Sequence, residues 1–548
     1  MQNPYHHEFP PERLVIRRSG AWTVALLFLA MLALPPLWED WREMNADGGW
    51  LPAREFARTL TDGSGPQPLA GRLKAFETRL GEESDFAIPA RQMAQEQFLR
   101  WLGRGNNRTL PVRDGWFFYR PELRALTGHG PLQPEPGSVA KDPTLADWKP
   151  PLPAIQQFAR DLKDRGVALW MLPLPMKESI YPEKLTGHPA PDPVQHPDTA
   201  ALFQQLEAAG IRVLDAAPLL WLLKATDDRD GPVYLKQDTH WTPRAMEATA
   251  AWLATKLKEA GITSTERRFR AEPPRRAESR GDLVEKLDLG PRSRVLSLES
   301  TSLRCIRQAD GGPVMSDRSS PVVLLGDSFV NIYDDPALGF ADAAPGETRL
   351  GAGFAQHLAW QLQRSVDVIA SNGGGASTVR EQFANRPDDE VRAKQIVVWM
   401  PAARDLFLPR TEARSTGVEW RAVTFNPKRQ QTPSPTSSHG SVIVEATVLE
   451  KSAAPNPKTV DYPEALYTVR YRIDRVLQGE FKEPEAVVMH WLFQDRKFVP
   501  TAEVEIGSRY RLTLSPWLDQ AALQSKKQID DVGGLDVFFA PSADPPTP

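Results

Sequence analysis

The sequence predicts an α/β fold, in which a parallel sheet flanked by helices follows a transmembrane helix and precedes an all-β domain. Three observations support this prediction. Between about residues 150 and 410, short apolar runs alternate with helix-length segments, as in a parallel sheet with right-handed crossovers. Beyond residue 440, apolar and polar residues alternate, which is typical of half-buried strands. Near the N-terminus, residues 21–38 are almost wholly apolar.

The apolar stretch at 21–38 predicts a membrane anchor. As a helix it is roughly 27 Å long, close to the ~30 Å hydrocarbon core of a bilayer. Three arginines lie just before it and two acidic residues directly after it, and basic residues on the N-terminal side place that side in the cytoplasm. We therefore expect a cytoplasmic N-terminus at 1–20, a single-pass inner-membrane anchor at 21–38, and main domains in the periplasm. A signal peptide that is cleaved to release the chain into the periplasm is the alternative.

Local patterns predict the next elements. Residues 39–110 carry two helical patterns, Leu69–Leu80 and Ala90–Leu102, and predict a helical stalk. Residues 111–426 predict the α/β domain. Its expected strands are Val167–Leu172, Ile211–Leu214, Val322–Leu325, Val366–Ala370 and Ile396–Trp399, and its expected helices are Ala154–Arg165, Thr199–Ala209, Pro243–Ala260 and Phe354–Gln363.

The composition changes near residue 426. Residues 427–440 are rich in Pro, Ser and Thr and predict a linker too polar to pack. Residues 441–540 predict a small β-barrel or sandwich, and residues 541–548 a disordered tail. The expected strands of this domain are Val442–Val448, Tyr467–Asp474, Ala486–Met489 and Tyr510–Leu514.

Charge and cysteine content exclude several classes of protein. The 548 residues carry a net charge of −4, which argues against a nucleic-acid partner because such a partner requires a basic face. The single cysteine, Cys305, excludes an internal disulfide and a thiolate metal cluster. No spacing of potential ligands indicates a metal site, and we expect neither a metal nor a cofactor.

Two short motifs supply the residue types of an activated serine. Pro321-Val-Val-Leu-Leu-Gly-Asp-Ser-Phe329 is a buried-strand pattern that stops at a turn, so Ser328 is expected at the carboxyl end of a strand, where open α/β sheets bind ligands. Upstream, Asp238 and His240 are two residues apart and directly precede a predicted helix. We assign Ser328 as nucleophile, His240 as its base and Asp238 as the group that orients His240, with Asp327 as the competing acid. A helix N-cap for Ser328 and a structural role for His240 are the alternatives.

Other residues complete the predicted site. The run Asn372-Gly-Gly-Gly375 follows another predicted strand, and we expect Asn372 and Gly373, together with the Ser328 backbone N–H, to stabilise the oxyanion. Trp116 and Trp241 lie beside the motifs and are candidate platforms for stacking on a sugar. For both tryptophans, a place in the core is the alternative.

Residues from about 85 to 410 resemble the alginate O-acetyltransferase group of SGNH-hydrolase-like proteins, the AlgJ/AlgX type. The matching stretches are Arg113-Asp-Gly-Trp-Phe-Phe-Tyr-Arg120, Pro173-Leu-Pro-Met-Lys-Glu-Ser-Ile-Tyr-Pro-Glu183, Asp238-Thr-His-Trp241, Gly326-Asp-Ser-Phe329 and Asn372-Gly-Gly-Gly375. In ordinary SGNH hydrolases the serine comes first, whereas here, as in this group, Asp-x-His precedes it. The resemblance implies an SGNH-like fold and the roles assigned above. Lys177 and Arg380 fall in segments that resemble the edge of the group's site, with surface charges as the alternative.

The resemblance implies an exported O-acetyltransferase that acts on an alginate-like exopolysaccharide through a serine acyl-enzyme. A membrane-bound O-acyltransferase is the implied supplier of the acetyl donor. A carbohydrate esterase with the same triad is one alternative, because it differs only in passing the acyl group to water. A non-catalytic polysaccharide-binding scaffold of an export complex is the other.

Overall fold

A computed structural model describes residues 18–44, 51–61, 68–133, 149–264, 266, 268–290, 292–340, 349–410, 416–425, 442–457, 460, 462–517, 520–532 and 537–545. The chain forms two compact units, one of Met1–Phe98 with Leu289–Ser293 and the other of Leu99–Asp288 with Arg294–Pro548. The predicted linker at 427–440 and residues 1–17 of the predicted cytoplasmic N-terminus lie outside the described residues. The predicted domain boundaries stay predictions.

The first unit is helical. Its helices are Arg18–Met44, Pro52–Thr61, Leu69–Glu83 and the larger part of Ala87–Leu102, so both helices predicted in the stalk are confirmed. Among the described residues, no helix combines the length and the apolarity that a membrane crossing requires. The segment 21–38 lies within the helix Arg18–Met44, as expected. The transmembrane span predicted there is not supported.

A five-stranded parallel sheet forms the centre of the second unit. The strands, in spatial order, are Asp367–Ala370, Val322–Gly326, Ile396–Met400, Ala168–Met171 and Arg212–Val213. All five were predicted. The Val322–Gly326 strand has neighbours on both sides, and its alternate residues enter different cores: Leu324 packs into one cluster and Leu325 into another. Because both faces are covered, this strand is an unbroken apolar run.

Helices and short strand pairs surround the parallel sheet. The helices are Arg120–Thr127, Pro151–Lys163, Lys177–Ile180, Pro182–Thr186, Thr199–Ala208, Ala217–Lys224, Asp227–Asp230, Pro243–Glu259, Asp282–Glu285, Ser328–Asn331, Phe354–Leu362, Thr378–Ala384, Asp388–Arg392 and Ala403–Phe407. The short antiparallel pairs are Thr109–Pro111 with Phe117–Tyr119, Phe269–Ala271 with Ile306–Gln308, and Arg275–Ser279 with Glu299–Leu303. The four helices predicted for this domain are confirmed to within a few residues.

The C-terminal strands form a closed sheet. In order around it they are Glu485–Gln494, Val537–Phe539, Arg509–Pro516, Val442–Lys451 and Ala465–Gln478, and the last pairs again with the first. This confirms a barrel rather than a sandwich, and we call it the C-terminal barrel. Lys497–Phe498 and Lys527–Ile529 add to it, and a short helix, Ala521–Gln524, precedes the latter. In the predicted tail, Asp544 forms two backbone hydrogen bonds with Arg511, and residues 546–548 lie outside the described residues.

Candidate active site

Ser328 lies at the turn that follows the central strand Val322–Gly326. Asp327 is extended, and its carboxylate accepts a hydrogen bond from the backbone N–H of Phe329 at 2.9 Å, which caps the short helix Ser328–Asn331. A Cβ on Gly326 would lie 2.3 Å from Val330 Cγ2. Glycine therefore allows this helix to fold back tightly on the strand end, and the turn holds Ser328 at the carboxyl edge of the sheet.

His240 and Asp238 meet Ser328 from the segment before the helix Pro243–Glu259. His240 Nε2 is 2.8 Å from Ser328 Oγ, and His240 Nδ1 is 2.6 Å from Asp238 Oδ1. Asp238 also accepts the backbone N–H groups of His240 at 2.9 Å and of Asp282 at 2.8 Å. The structure thus brings the three predicted residues into one hydrogen-bonded series. We refer to it as the triad.

The charges of the triad favour proton transfer from serine to histidine. Burial by itself raises the pKa of Asp238, but His240 and the two backbone N–H groups outweigh it and hold that pKa well below its usual value. Burial lowers the pKa of His240, yet the negative charge and hydrogen bond of Asp238, with smaller contributions from Asp282 and Asp327, raise it overall. The site therefore favours an ionised aspartate beside an imidazole that accepts a proton readily.

Asp282 holds the segment that carries Asp238 and His240. Its carboxylate accepts the backbone N–H and the hydroxyl of Thr239, both at 2.8 Å, and Lys286 Nζ lies 2.8 Å from it. Side-chain ligand atoms of Asp238, His240 and Asp282 lie within 4.8 Å of one another. A cation held by all three would compete with the Asp238–His240 hydrogen bond. We therefore assign these groups to the serine rather than to a metal.

Lys177 does not lie at a substrate-facing edge. It is 1% exposed, and its ammonium donates to the carbonyl oxygens of Phe117 at 2.7 Å, Lys236 at 2.9 Å and Asp238 at 3.0 Å. Burial lowers its pKa to about 8. The predicted substrate contact is wrong, because this lysine instead fixes the backbone of the segment that carries Asp238.

Three further predicted contacts are also wrong because the side chains are buried. Arg380 is fully buried, donates to the carbonyl oxygens of Ala376 and Arg421, and has its pKa lowered to about 10 by burial. Trp116 is 3% exposed and packs in the core. Trp241 is fully buried, and its indole N–H donates to Phe329 O at 3.2 Å. Neither tryptophan presents a face to a sugar.

The two predicted oxyanion residues differ in their surroundings. Asn372 donates its backbone N–H to Ser525 O at 2.9 Å, and its side-chain amide donates to Asp335 at 3.0 Å. Both donors therefore hold the loop in place, and the oxyanion role expected of Asn372 stays a prediction. In the described part of the chain, the backbone N–H groups of Gly373 and Ser328 have no protein acceptor, and they stay candidates for this role.

Two residues that the sequence analysis missed line the cleft above Ser328. The hydroxyl of Tyr462 lies 3.2 Å from Ser328 Oγ. Arg404 lies in the short helix Ala403–Phe407, which follows the strand Ile396–Met400, and pairs with Glu122 at 2.9 Å. The cleft has a volume of about 530 Å³, including space open to solvent. The strand-end argument that identified Ser328 would also have found Arg404. No local signal identifies Tyr462, which belongs to the C-terminal barrel.

A comparison with known protein families identifies the chain. Residues 110–402, more than half of its length, match the family model described as the SGNH hydrolase-like domain of acetyltransferase AlgX. The chain belongs to this family. The match covers the three triad residues, so the family and the triad concern the same domain. O-acetylation of alginate is the general chemistry associated with this AlgJ/AlgX-like family.

Two named relatives and one solved structure are similar to parts of this chain. The probable alginate O-acetylase AlgJ of Pseudomonas putida is 26% identical over 373 residues, which cover 66% of this chain and 87% of that protein. The protein of the same name from Azotobacter vinelandii is 30% identical over 267 residues, 46% of this chain and 63% of that protein. The solved O-acetyltransferase domain of P. putida AlgJ has a TM-score of 0.40 at 23% identity and covers 55% of this chain and 93% of its own.

Proposed function

We propose that this chain transfers an acetyl group through an acyl-enzyme on Ser328 to hydroxyls of an alginate-like exopolysaccharide. The observation that carries the proposal is the hydrogen-bonded series Asp238, His240 and Ser328, with distances of 2.6 and 2.8 Å, because acyl transfer by an activated hydroxyl uses this arrangement. Family membership supports O-acetylation as the chemistry. The names of the AlgJ relatives support alginate as the class of acceptor.

In the first half-reaction, Ser328 Oγ gives its proton to His240 Nε2 and attacks the carbonyl carbon of an acetyl ester. The Oγ–C bond forms, the ester C–O bond of the donor breaks, and the departing alcohol takes the proton from His240. In the second, a sugar hydroxyl gives its proton to His240 and attacks the acetyl carbon, and Ser328 Oγ departs and recovers that proton. Asp238 keeps the imidazole oriented and stabilises its protonated form. The backbone N–H groups of Ser328 and Gly373 are the proposed oxyanion donors.

The proposal includes export, with a membrane-bound O-acyltransferase supplying the acetyl donor. The arginines before the apolar residues 21–38 support export, because basic residues stay on the cytoplasmic side. Fractionation of cells that express the full chain tests its location: recovery in the cytoplasmic fraction would contradict export without affecting the proposed chemistry.

Substitution of the nucleophile tests the chemistry. The full chain is incubated with p-nitrophenyl acetate and its intact mass is measured, and polymer acetylation is measured in producing cells. We expect one acetyl group on the wild-type protein and on Ser319→Ala, which removes an exposed turn serine, and none on Ser328→Ala. We also expect the polymer to lose its acetyl groups in Ser328→Ala.

The alternatives predict other results in the same experiment. A carbohydrate esterase forms the adduct on Ser328, but its polymer gains acetyl groups when Ser328 is removed. A non-catalytic scaffold forms no adduct on the wild-type protein. Either outcome overturns the proposed transfer.

A further inference from the structure

We propose that Tyr462, which the C-terminal barrel carries, is a catalytic residue that donates a hydrogen bond to the Ser328 oxygen during acyl transfer. This inference rests on the proposed function and makes the barrel part of the active site. Tyr462 lies just before the barrel strand Ala465–Gln478, and its hydroxyl is 3.2 Å from Ser328 Oγ. It lines the same cleft as His240 and Ser328.

The direction of this hydrogen bond follows from the protons available. His240 Nδ1 faces Asp238, an acceptor at 2.6 Å, so Nδ1 carries the proton of the neutral imidazole and Nε2 is the acceptor. The one proton of Ser328 therefore goes to His240 Nε2 at 2.8 Å. Because Oγ has no second proton to give, the Tyr462 hydroxyl must be the donor to Oγ.

The Tyr462 ring is held close to Gly373. A Cβ on Gly373 would lie 2.4 Å from Tyr462 Cε2 and 3.1 Å from its Cζ, so a side chain at this position would occupy the place of the ring. Gly373 also has a φ of +66°, in the left-handed region that favours glycine. The glycine run predicted to approach a ligand thus accommodates the tyrosine that reaches the nucleophile.

A second part of the barrel domain contacts the glycine-rich loop that contains Gly373. Asn372 donates its backbone N–H to Ser525 O at 2.9 Å, Lys527 Nζ donates to Gly373 O at 2.9 Å, and Ser371 Oγ donates to Lys526 O at 3.1 Å. Segments before the strand Ala465–Gln478 and at residues 525–527 therefore contact one loop beside Ser328. This two-point attachment fixes the position of the Tyr462 hydroxyl.

A donor at this position helps both half-reactions. Negative charge develops on Ser328 Oγ when it loses its proton to His240, and again when Oγ leaves the acetyl carbon. A hydrogen bond from Tyr462 stabilises that charge more than it stabilises the neutral hydroxyl or the ester oxygen, so it lowers both barriers. Tyr462 keeps its proton throughout, and no bond to it forms or breaks.

Burst kinetics with p-nitrophenyl acetate on the full chain test this inference. The burst rate measures acylation of Ser328, and the steady-state rate measures deacylation to water. We expect Tyr462→Phe to slow both by about 10- to 100-fold, with KM and the thermal midpoint unchanged. The matched control is Tyr510→Phe, which removes a barrel hydroxyl that contacts the Glu505 N–H at 3.1 Å, and both rates should stay at the wild-type level.

Tyr462→Ala separates hydroxyl donation from packing of the ring. If Tyr462→Phe retains both wild-type rates while Tyr462→Ala loses them, the residue acts by filling space and the inference is overturned. Wild-type rates in both variants overturn it as well. A wild-type protein that shows neither a burst nor an adduct instead contradicts the proposed function, so the two failures are distinguishable.

Discussion

Single residues decide the protonation of the site. Asp238 accepts three hydrogen bonds, two from backbone N–H groups and one from the His240 ring. Backbone donors stabilise the ionised carboxylate regardless of the protonation of His240, so the charge is present before the reaction begins. The short Asp-x-His spacing makes this possible, because the N–H of His240 and its own ring both reach the same oxygen, Asp238 Oδ1.

The pH dependence of the rate should reflect the raised pKa of His240. Only the neutral imidazole accepts the serine proton, so activity is lost as the pH falls through this pKa, which Asp238 raises above the usual value for histidine. Asp238→Asn removes the negative charge that raises the pKa of His240. We expect the acidic limb of kcat/KM to move to lower pH and the maximal rate to fall, because the imidazolium loses its counter-charge.

The measurement is kcat/KM for p-nitrophenyl acetate between about pH 5 and 9, the range in which histidine titrates. Asp310→Asn is the control, since Asp310 lies in an exposed turn, and its profile should match the wild type. An acidic limb of Asp238→Asn at the same or a higher pH would show that Asp238 does not set the His240 pKa.

At the scale of elements, the site depends on how the central strand connects to its short helix. Asp327 caps the helix, and the strand ends at Gly326 in direct contact with Val330. Gly375, from the neighbouring loop, also approaches this turn, since a Cβ on it would lie 2.8 Å from Asp327 Oδ2. The turn that carries Ser328 therefore depends on two close contacts at glycine positions, Gly326 with Val330 and Gly375 with Asp327.

Adding a methyl group at Gly326 should displace this turn. A Cβ there would lie 2.3 Å from Val330 Cγ2, and overpacking of this kind costs about 1–3 kcal/mol of unfolding free energy. We expect Gly326→Ala to be destabilised by that amount and to turn over p-nitrophenyl acetate more slowly. Combining it with Val330→Ala removes the clashing methyl group and should recover part of the activity.

We would compare the two single variants and the double variant by urea unfolding and by their turnover of p-nitrophenyl acetate. Val330→Ala alone is the matched control for the loss of a buried side chain. Gly326→Ala with wild-type stability and turnover, or a double variant less active than Gly326→Ala, would mean that this contact does not position Ser328.

At the scale of the second unit, the barrel and the parallel sheet share buried polar contacts. Asp335 is 4% exposed and accepts hydrogen bonds from the Asn372 amide at 3.0 Å, Lys526 Nζ at 3.2 Å and Ser525 Oγ at 3.3 Å. It therefore connects the helical turn after Ser328, the glycine-rich loop and the barrel domain. Lys526 also pairs with Glu464 at 3.1 Å, two residues after Tyr462.

Removing Asp335 should loosen the barrel from the site. Asp335→Ala leaves a buried amide and an ammonium without this acceptor, and we expect a loss of about 2–4 kcal/mol of unfolding free energy together with slower acylation of Ser328. Calorimetry and burst kinetics measure the two effects. Asp310→Ala, in the exposed turn, should change neither. Unchanged acylation in Asp335→Ala would show that barrel attachment does not affect the nucleophile.

Several wrong predictions share one physical cause. Lys177, Arg380, Trp116 and Trp241 are polar or aromatic residues near motifs, and local sequence does not show whether such side chains are buried. Lys177 is stable in the interior because carbonyl oxygens from three separate residues converge on it. Those oxygens are brought together by folding, so no pattern around Lys177 indicates them.

The sequence by itself determined the parallel sheet, the barrel strands and the candidates Ser328, His240 and Asp238. These depend on periodicity, strand ends and a two-residue spacing, which are local properties. Only the tertiary structure decided that the three residues meet, that Asn372 holds its loop in place, and that Tyr462 from the barrel reaches Ser328. The reason is that the contacts of Ser328 with His240 and with Tyr462 join residues 88 and 134 positions apart, and their distances depend on how whole elements pack.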